Sequence, residues 1–234
     1  MSEHFVQLYE DSAALAEAVA DYVGEGLRNG EAVVIIATPA HRAAFLGNIS
    51  PTEGLRVLDA EETLAQIMAN GMPNWRAFRE VIGGLIADLR LRHPTVRAYG
   101  EMVDVLWQRG EREAAIRLEE YWNELGQVQT FSLLCAYRMN PLDGALYGGP
   151  LESVCRAHSR LLPARDQQRI DDAVHEASRK VLDQPLAGIL LSMAANHRGD
   201  LPAGQAALFW LKQNMPRTAE KVFQELRSGA SREA

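Results

Sequence analysis

The apolar positions of the first 140 residues fall into short alternating blocks. Phe5 to Tyr9 has the make-up of a strand. Ser12 to Asn29 follows with Leu15, Val19, Val23 and Leu27 at spacing four, one face of a helix, and Gly30 supplies a helix stop. Val33 to Ala37 is a continuous apolar run, the pattern of a strand covered on both faces in a parallel sheet. Thr38-Pro39 is then a cap followed by a first-turn proline. Arg56 to Leu58 is a shorter strand, after which Asp59 and Glu62 have capping-box spacing. Trp75 to Arg92 reads as a helix with Phe78, Val81, Ile82, Leu85 and Leu89 inward. Thr95 to Tyr99 is the next strand, helices follow near 102–109 and 111–125, and Gln129 to Ala136 is the last clear strand.

Strands and helices in this rhythm predict an α/β fold, a parallel sheet with helices on both faces. Such sheets bind ligands beyond the carboxyl ends of their strands. That rule gathers Tyr9, Glu10 and Asp11, then Thr38 and His41, Asp59, Glu101 and Asp104, and finally Tyr137 and Arg138. From these, Tyr9, Glu10, Thr38, His41, Glu101 and Arg138 are the candidate ligand-binding residues.

Glu101 stands where many nucleotide hydrolases hold a metal. Those enzymes also need a glycine-rich loop with a lysine after the first strand, to cradle phosphate. The chain has LYEDSAALAEA there, with no glycine, no lysine and two acids. No ATPase is therefore expected. Glu101 is either a ligand contact or an acid favoured by the dipole at a helix start.

After Pro163 the pattern turns helical. Ile170, Val174, Ala177 and Val181 keep a 4-3-4 rhythm, which slips at Pro185 and resumes with Leu186, Ile189 and Met193. Gly199 to Pro202 is a turn, and Leu208, Leu211, Met215, Val222 and Leu226 mark a second helix. The prediction is a sheet domain over 1–163 and an αα-hairpin over 164–234. A lone hairpin buries little, so two copies would complete a four-helix bundle and a homodimer. The alternative is a hairpin folded back on its own sheet domain.

Composition narrows the function. A formal charge of −7 argues against a general binder of nucleic acid or anionic membrane, which would need clustered Lys and Arg. No 18-residue apolar run predicts a membrane span, and the amino terminus lacks the basic start of a secretory signal. Two cysteines, Cys135 and Cys155, in apolar surroundings suit a reduced, cytoplasmic protein. Cys155 and His158, at i and i+3, are two ligands without companions, so neither a metal nor a cofactor is expected. His4 and His41 have structural readings as a strand-edge and a first-turn residue, and no Ser-His-Asp or Cys-His pairing follows from spacing. Trp107 and Trp122 are either packing residues or walls of an apolar pocket.

The blocks HFVQLYED, GEAVVIIATPAHR, RAYGEMVDVLWQRGEREAAIRLEEYWNEL, FSLLCAYRM and VCRAHSRLLPA together resemble the MEDS family. This sensory domain is named for methanogen and methylotroph proteins and the dichloromethane-responsive repressor. The resemblance spans about residues 3 to 163. It implies a three-layer, RecA/KaiC-like sheet that lost its phosphate loop, and a sensor of small hydrocarbon-derived ligands. The repressor carries a DNA-binding segment; with nothing ahead of the block here, DNA binding is not expected.

The tail is similar to a histidine-kinase dimerisation domain. KVLDQPLAGIL resembles the phosphoacceptor box of the HELNQPLAAIL type, and RTAEKVFQELR the end of its second helix. On this alignment Lys180 replaces the phosphoacceptor histidine and Val181 the adjacent acid. His175 and His197 lie out of register, and Pro185 fits the usual kink. No ATP-binding domain follows, so a non-enzymatic signalling protein is expected. A histidine kinase or response regulator is its expected partner and a small apolar molecule its expected ligand. The alternatives are a two-component scaffold without a small ligand and a residual nucleotide-binding switch.

Overall fold

A computed structural model describes residues 3–47, 52–182, 184–197 and 199–230. By its internal contacts the chain divides into two units. The first comprises residues 1–138 with 157–159, the second 139–156 with 160–234.

The first unit opens with β1 (Glu3–Tyr9) and α1 (Ser12–Arg28). Asp11 caps α1, its carboxylate accepting from Ala13 N and Ala14 N, and Leu15, Val19 and Val23 are buried along the predicted face. Gly30, with φ of +74°, takes the left-handed turn that ends it. β2 (Ala32–Ala37) is buried at every position, as its unbroken apolar run requires. α2 (Pro39–Leu46) starts at the predicted proline, yet Thr38 makes no side-chain cap bond. β3 (Leu55–Asp59) ends in Asp59, which caps α3 (Ala60–Ile67) through Glu61 N and Glu62 N.

A tight hairpin that periodicity did not signal follows, β4 (Met68–Ala69) and β5 (Met72–Pro73), turning at Asn70 and Gly71 with positive φ. The helix expected over Trp75 to Arg92 is present as α4 (Trp75–Phe78), a π turn (Arg79–Gly83) and α5 (Gly84–Arg90). Gln129 Nε2 donates to Gly83 O at 3.1 Å at that turn; an intruding side chain of this kind accompanies breaks in the helical ladder. β6 (Val96–Gly100), α6 (Met102–Gln108), α7 (Arg112–Val128) and β7 (Ser132–Arg138) complete the unit.

Five strands pair side by side in the order β3-β2-β6-β7-β1, all parallel. One rule accounts for the layers. Crossovers running from β1 to β2 and from β2 to β3 go one way along the sheet, and right-handedness places α1 and α2 on one face. The return from β3 to β6 and on to β7 reverses direction and places α3 to α7 on the other. The reversal falls between β2 and β6, so the carboxyl ends of these two strands form the switch point of the sheet.

In the second unit a 3-10 turn (Leu146–Gly148) and α8 (Pro150–Ala157, its last residue counted with the first unit) precede the helical tail. The two long helices expected there appear as four, α9 (Gln167–Val181), α10 (Gln184–His197), α11 (Ala203–Asn214) and α12 (Pro216–Ala230). Pro185 lies in the first turn of α10 and Pro216 begins α12, so each proline starts a helix rather than kinking one. The first turn of α11 packs on α9, with Gly204 N donating to Asp171 Oδ1 at 2.8 Å and Gln167 Nε2 to Gln205 Oε1 at 2.9 Å. Ile170, Val174 and Ala177 are buried as predicted, as are Leu208, Leu211, Val222 and Leu226.

Candidate functional site

The switch point is occupied by the protein's own carboxylate. Glu101 closes β6 and is 2% exposed. It makes no side-chain bond to the start of its own helix, α6. Instead its Oε1 accepts from Thr38 N, the uncapped amino end of α2. Its Oε2 accepts from Tyr99 OH at 3.1 Å and meets His41 Nδ1 at 2.7 Å. The helix-start reading of Glu101 therefore holds for a different helix from the one it precedes.

A second carboxylate sits beside it. Asp104 accepts from Tyr9 OH at 2.9 Å, from Arg138 N at 3.0 Å and from Gln108 Nε2 at 2.8 Å. Burial pushes its carboxyl pKa above the usual range, against the pull of those donors and with the Glu101 charge adding to the rise. Burial and the Asp104 charge push the Tyr9 hydroxyl far up, and burial with Glu101 does the same to Tyr99, so both remain donors at neutral pH. The hydrogen bond to Glu101 raises His41 despite the opposing effect of burial. His41 Nε2 lies 3.2 Å from Ser12 Oγ.

Apolar surfaces wall the same place. His41 lies 5.8 Å edge-on from the Tyr9 ring and stacks at 5.4 Å on Phe45, which meets Tyr99 edge-on at 5.1 Å. Three helices begin at this end of the sheet with a carboxylate on their free N–H groups: Asp11 on α1, Glu101 on α2 and Asp59 on α3. The positions that would attract an anion are thus filled from within.

Of the candidate residues, Tyr9, Thr38, His41 and Glu101 converge through side chain or backbone. Arg138 joins by its backbone N–H while its side chain is exposed, and Glu10 is exposed at the end of β1. Asp104 was gathered by the strand-end rule; Tyr99 and Ser12 were not, because a residue inside a strand and a helix-start serine carry no chemical signal of their own. Lys180 lies in the last turn of α9, its Nζ 2.8 Å from Glu176 Oε1. His175 is exposed beside Asp172, Glu176 and Arg179, and the side chain of His197 lies outside the described residues. Trp122 is buried edge-on to Phe78, and Trp107 packs edge-on to Tyr137 under the Arg112 guanidinium.

The opposite face of the sheet carries a polar cluster that the sequence pattern missed. His4, Glu119, Cys135 and His158 bring one ligand-type atom each to within 4.8 Å of one another. His158 thus joins Cys135 and not Cys155, its neighbour in sequence. Only the sheet register could have found this. His4 and Cys135 lie on adjacent parallel strands and share a face, because Val6 pairs with Cys135 and His4 with Leu133.

The fold and this end of the sheet define a parallel α/β domain whose strand-end site is built from buried carboxylates and aromatic rings rather than a phosphate loop. The chain belongs to the MEDS family, the MEthanogen/methylotroph, DcmR Sensory domain, whose family model matches residues 3–159. No curated protein and no solved structure matches the chain. Among the described residues no helix is long and apolar enough to cross a membrane.

Proposed function

We propose that the chain is a non-enzymatic signalling sensor that binds a small, largely apolar, hydrocarbon-derived molecule at the switch point and reports it through its helical tail. Membership of a sensory family supports the class. The observation that carries the site is the Glu101 carboxylate seated on the amino end of α2 amid Tyr9, His41, Phe45 and Tyr99. Aromatic walls with a few fixed polar groups suit a small apolar molecule bearing one polar handle. Two buried acids and three filled helix starts disfavour a phosphate. A ligand that takes over a donor from Glu101 frees Thr38 N–H or His41 and so alters the start of α2, which is a local change a sensor can transmit.

The output reading is self-association through α10. Leu186, Ile189 and Met193, at spacings three and four, are 54%, 58% and 57% exposed. They form one apolar face, and a second copy presenting the same face would cover it. A histidine kinase or response regulator would then read the dimer.

A thermal-shift panel of short-chain halocarbons and alcohols tests the site. Stabilisation rises with ligand over its dissociation constant, and Glu101→Gln should abolish it. A panel that leaves the wild-type melting temperature unchanged, beside calorimetric heat on titrating ATP, would replace this reading with the nucleotide switch.

A further inference from the structure

We propose that His4, Glu119, Cys135 and His158 form a four-ligand site for a divalent transition-metal ion, zinc being the best match. The ligands come from four separate stretches: β1, α7, β7 and the short segment 157–159 that belongs with the sheet unit. All lie in the first unit.

The spacing of the donor atoms is the main argument. His4 Nε2 and His158 Nε2 each lie 3.3 Å from a different oxygen of Glu119. Cys135 Sγ lies 3.4 Å from His4 Nε2 and 3.6 Å from Glu119 Oε2. Against the two histidine–carboxylate contacts, charge-assisted N–H···O bonds run shorter, at about 2.7–2.9 Å. The chain makes such a bond elsewhere, at 2.7 Å between His41 and Glu101, and an O–H···O bond at 2.7 Å from Tyr137 OH to Glu119. Donors held about 2.0–2.3 Å from a tetrahedral zinc ion stand about 3.3–3.7 Å from one another. His4 Nε2, Cys135 Sγ and Glu119 Oε2 have the spacing of one face of that tetrahedron, and His158 stands within 4.8 Å of them as the fourth corner.

The surroundings orient the ligands. Asn123 Nδ2 donates to the Ala157 carbonyl at 2.8 Å. A carbonyl only accepts, so the Asn123 oxygen is turned to His4 Nδ1, 2.9 Å away, and that nitrogen carries the proton. In the neutral ring Nε2 then aims a lone pair at the cluster. Both Glu119 Oε2 and Cys135 Sγ lie in its path. Tyr137 OH donates to Glu119 Oε1, and a ligating carboxylate held this way is usual. Ser159 pins the segment from the other side, its N–H and its hydroxyl both 2.7 Å from His4 O.

Charge completes the case. Glu119 and Cys135 are both 0% exposed. A carboxylate and a thiolate together carry two negative charges, which a divalent ion neutralises in place. Two imidazoles, one thiolate and one carboxylate are borderline donors that suit zinc over calcium or magnesium. Four protein ligands leave no open position, so the ion's role is structural: it ties residues 157–159 to β1 and α7.

The test uses the full chain, stripped with a chelator and titrated with Co²⁺ as a spectroscopic stand-in for zinc. The expected result is one equivalent bound, with a thiolate-to-cobalt charge-transfer band. Because the chain has only two cysteines, Cys155→Ser leaves Cys135 as the single thiol, and the band should persist. Cys135→Ser should lose it; should that variant fail to fold, the Cys155→Ser spectrum still assigns the thiolate. Absence of stoichiometric metal, a spectrum without thiolate character, or a band lost in Cys155→Ser would each overturn the proposal. None of these readouts depends on the strand-end ligand.

Discussion

Two buried glutamates on opposite faces of one sheet, each beside histidine, solve the same problem differently. Glu101 is surrounded by donors that can give a proton to each of its oxygens: a backbone N–H, a tyrosine hydroxyl and a histidine at hydrogen-bond distance. Its charge is satisfied in place, at the rim, where His41 remains partly open to solvent. Glu119 accepts from Tyr137 OH and from the Cys135 thiol, and meets two histidines at 3.3 Å, longer than the 2.7 Å between His41 and Glu101. The first arrangement can exchange partners with a small molecule. The second calls for a cation and a fixed geometry. Burial of a charge says little by itself; the distances to the partners separate a site that can open from one that holds the fold.

The contrast predicts a graded series. Glu119→Ala should have the largest effect. It leaves two histidines and a buried thiol without their common partner, and breaking a buried charged cluster costs about 3–5 kcal/mol. Denaturant unfolding should show a midpoint lowered by a loss of that size; an ordinary surface-sized loss would remove the contrast.

Glu101→Ala should cost less, about 1.5–3 kcal/mol, the worth of hydrogen bonds to a charged acceptor. Water can reach His41 and the Thr38 N–H once the carboxylate is gone, which sets the limit. Glu101→Gln should recover part of the loss.

The pH dependence separates the histidines. The hydrogen bond to Glu101 raises His41 above 6.5, its ordinary value, in a field that also contains Asp104 and the opposing charge of Arg138. A histidine raised on folding adds stability that is complete below its unfolded pKa and is lost as pH climbs through the raised one. The melting-temperature gap between wild type and His41→Asn should therefore be widest near pH 6 and narrow toward pH 9. A constant gap would mean that His41 stays neutral.

The smallest effect belongs to Lys180. Its pairing with Glu176 is an exposed i, i+4 contact at the end of α9, and such pairs add little. Lys180→Ala should leave the unfolding midpoint and the elution volume of the chain unchanged.

The difference between the two glutamates also explains what the sequence revealed. Glu101, Thr38, Tyr9 and Asp104 all lie at or just beyond strand ends, and the strand-end rule needs only the order of elements, so that site was legible in outline. Its inner wiring was not, since nothing local says that Glu101 reaches across to α2. The strands were legible because buried parallel strands read as apolar runs; β4, β5 and the π turn were missed because two-residue strands and one extra residue in a helical turn leave no periodic trace. His4, Glu119, Cys135 and His158 were invisible as a set. Their spacing along the chain matches no compact ligand motif, and only pairing of β1 with β7 and the return of residues 157–159 bring them together. In the tail, the break before α10 was flagged by Pro185 but read as a kink, and the one after Asn214 was missed because the apolar spacing runs on through Pro216; a proline that kinks a helix and one that starts a new helix look alike in sequence.

The most direct test of this division of labour is the melting temperature of the chelator-stripped wild type and Glu101→Gln, each with and without one equivalent of Zn²⁺. Zinc should raise both by the same increment, since the ion sits with Glu119. No increment in either chain, or one lost in Glu101→Gln, would contradict the account.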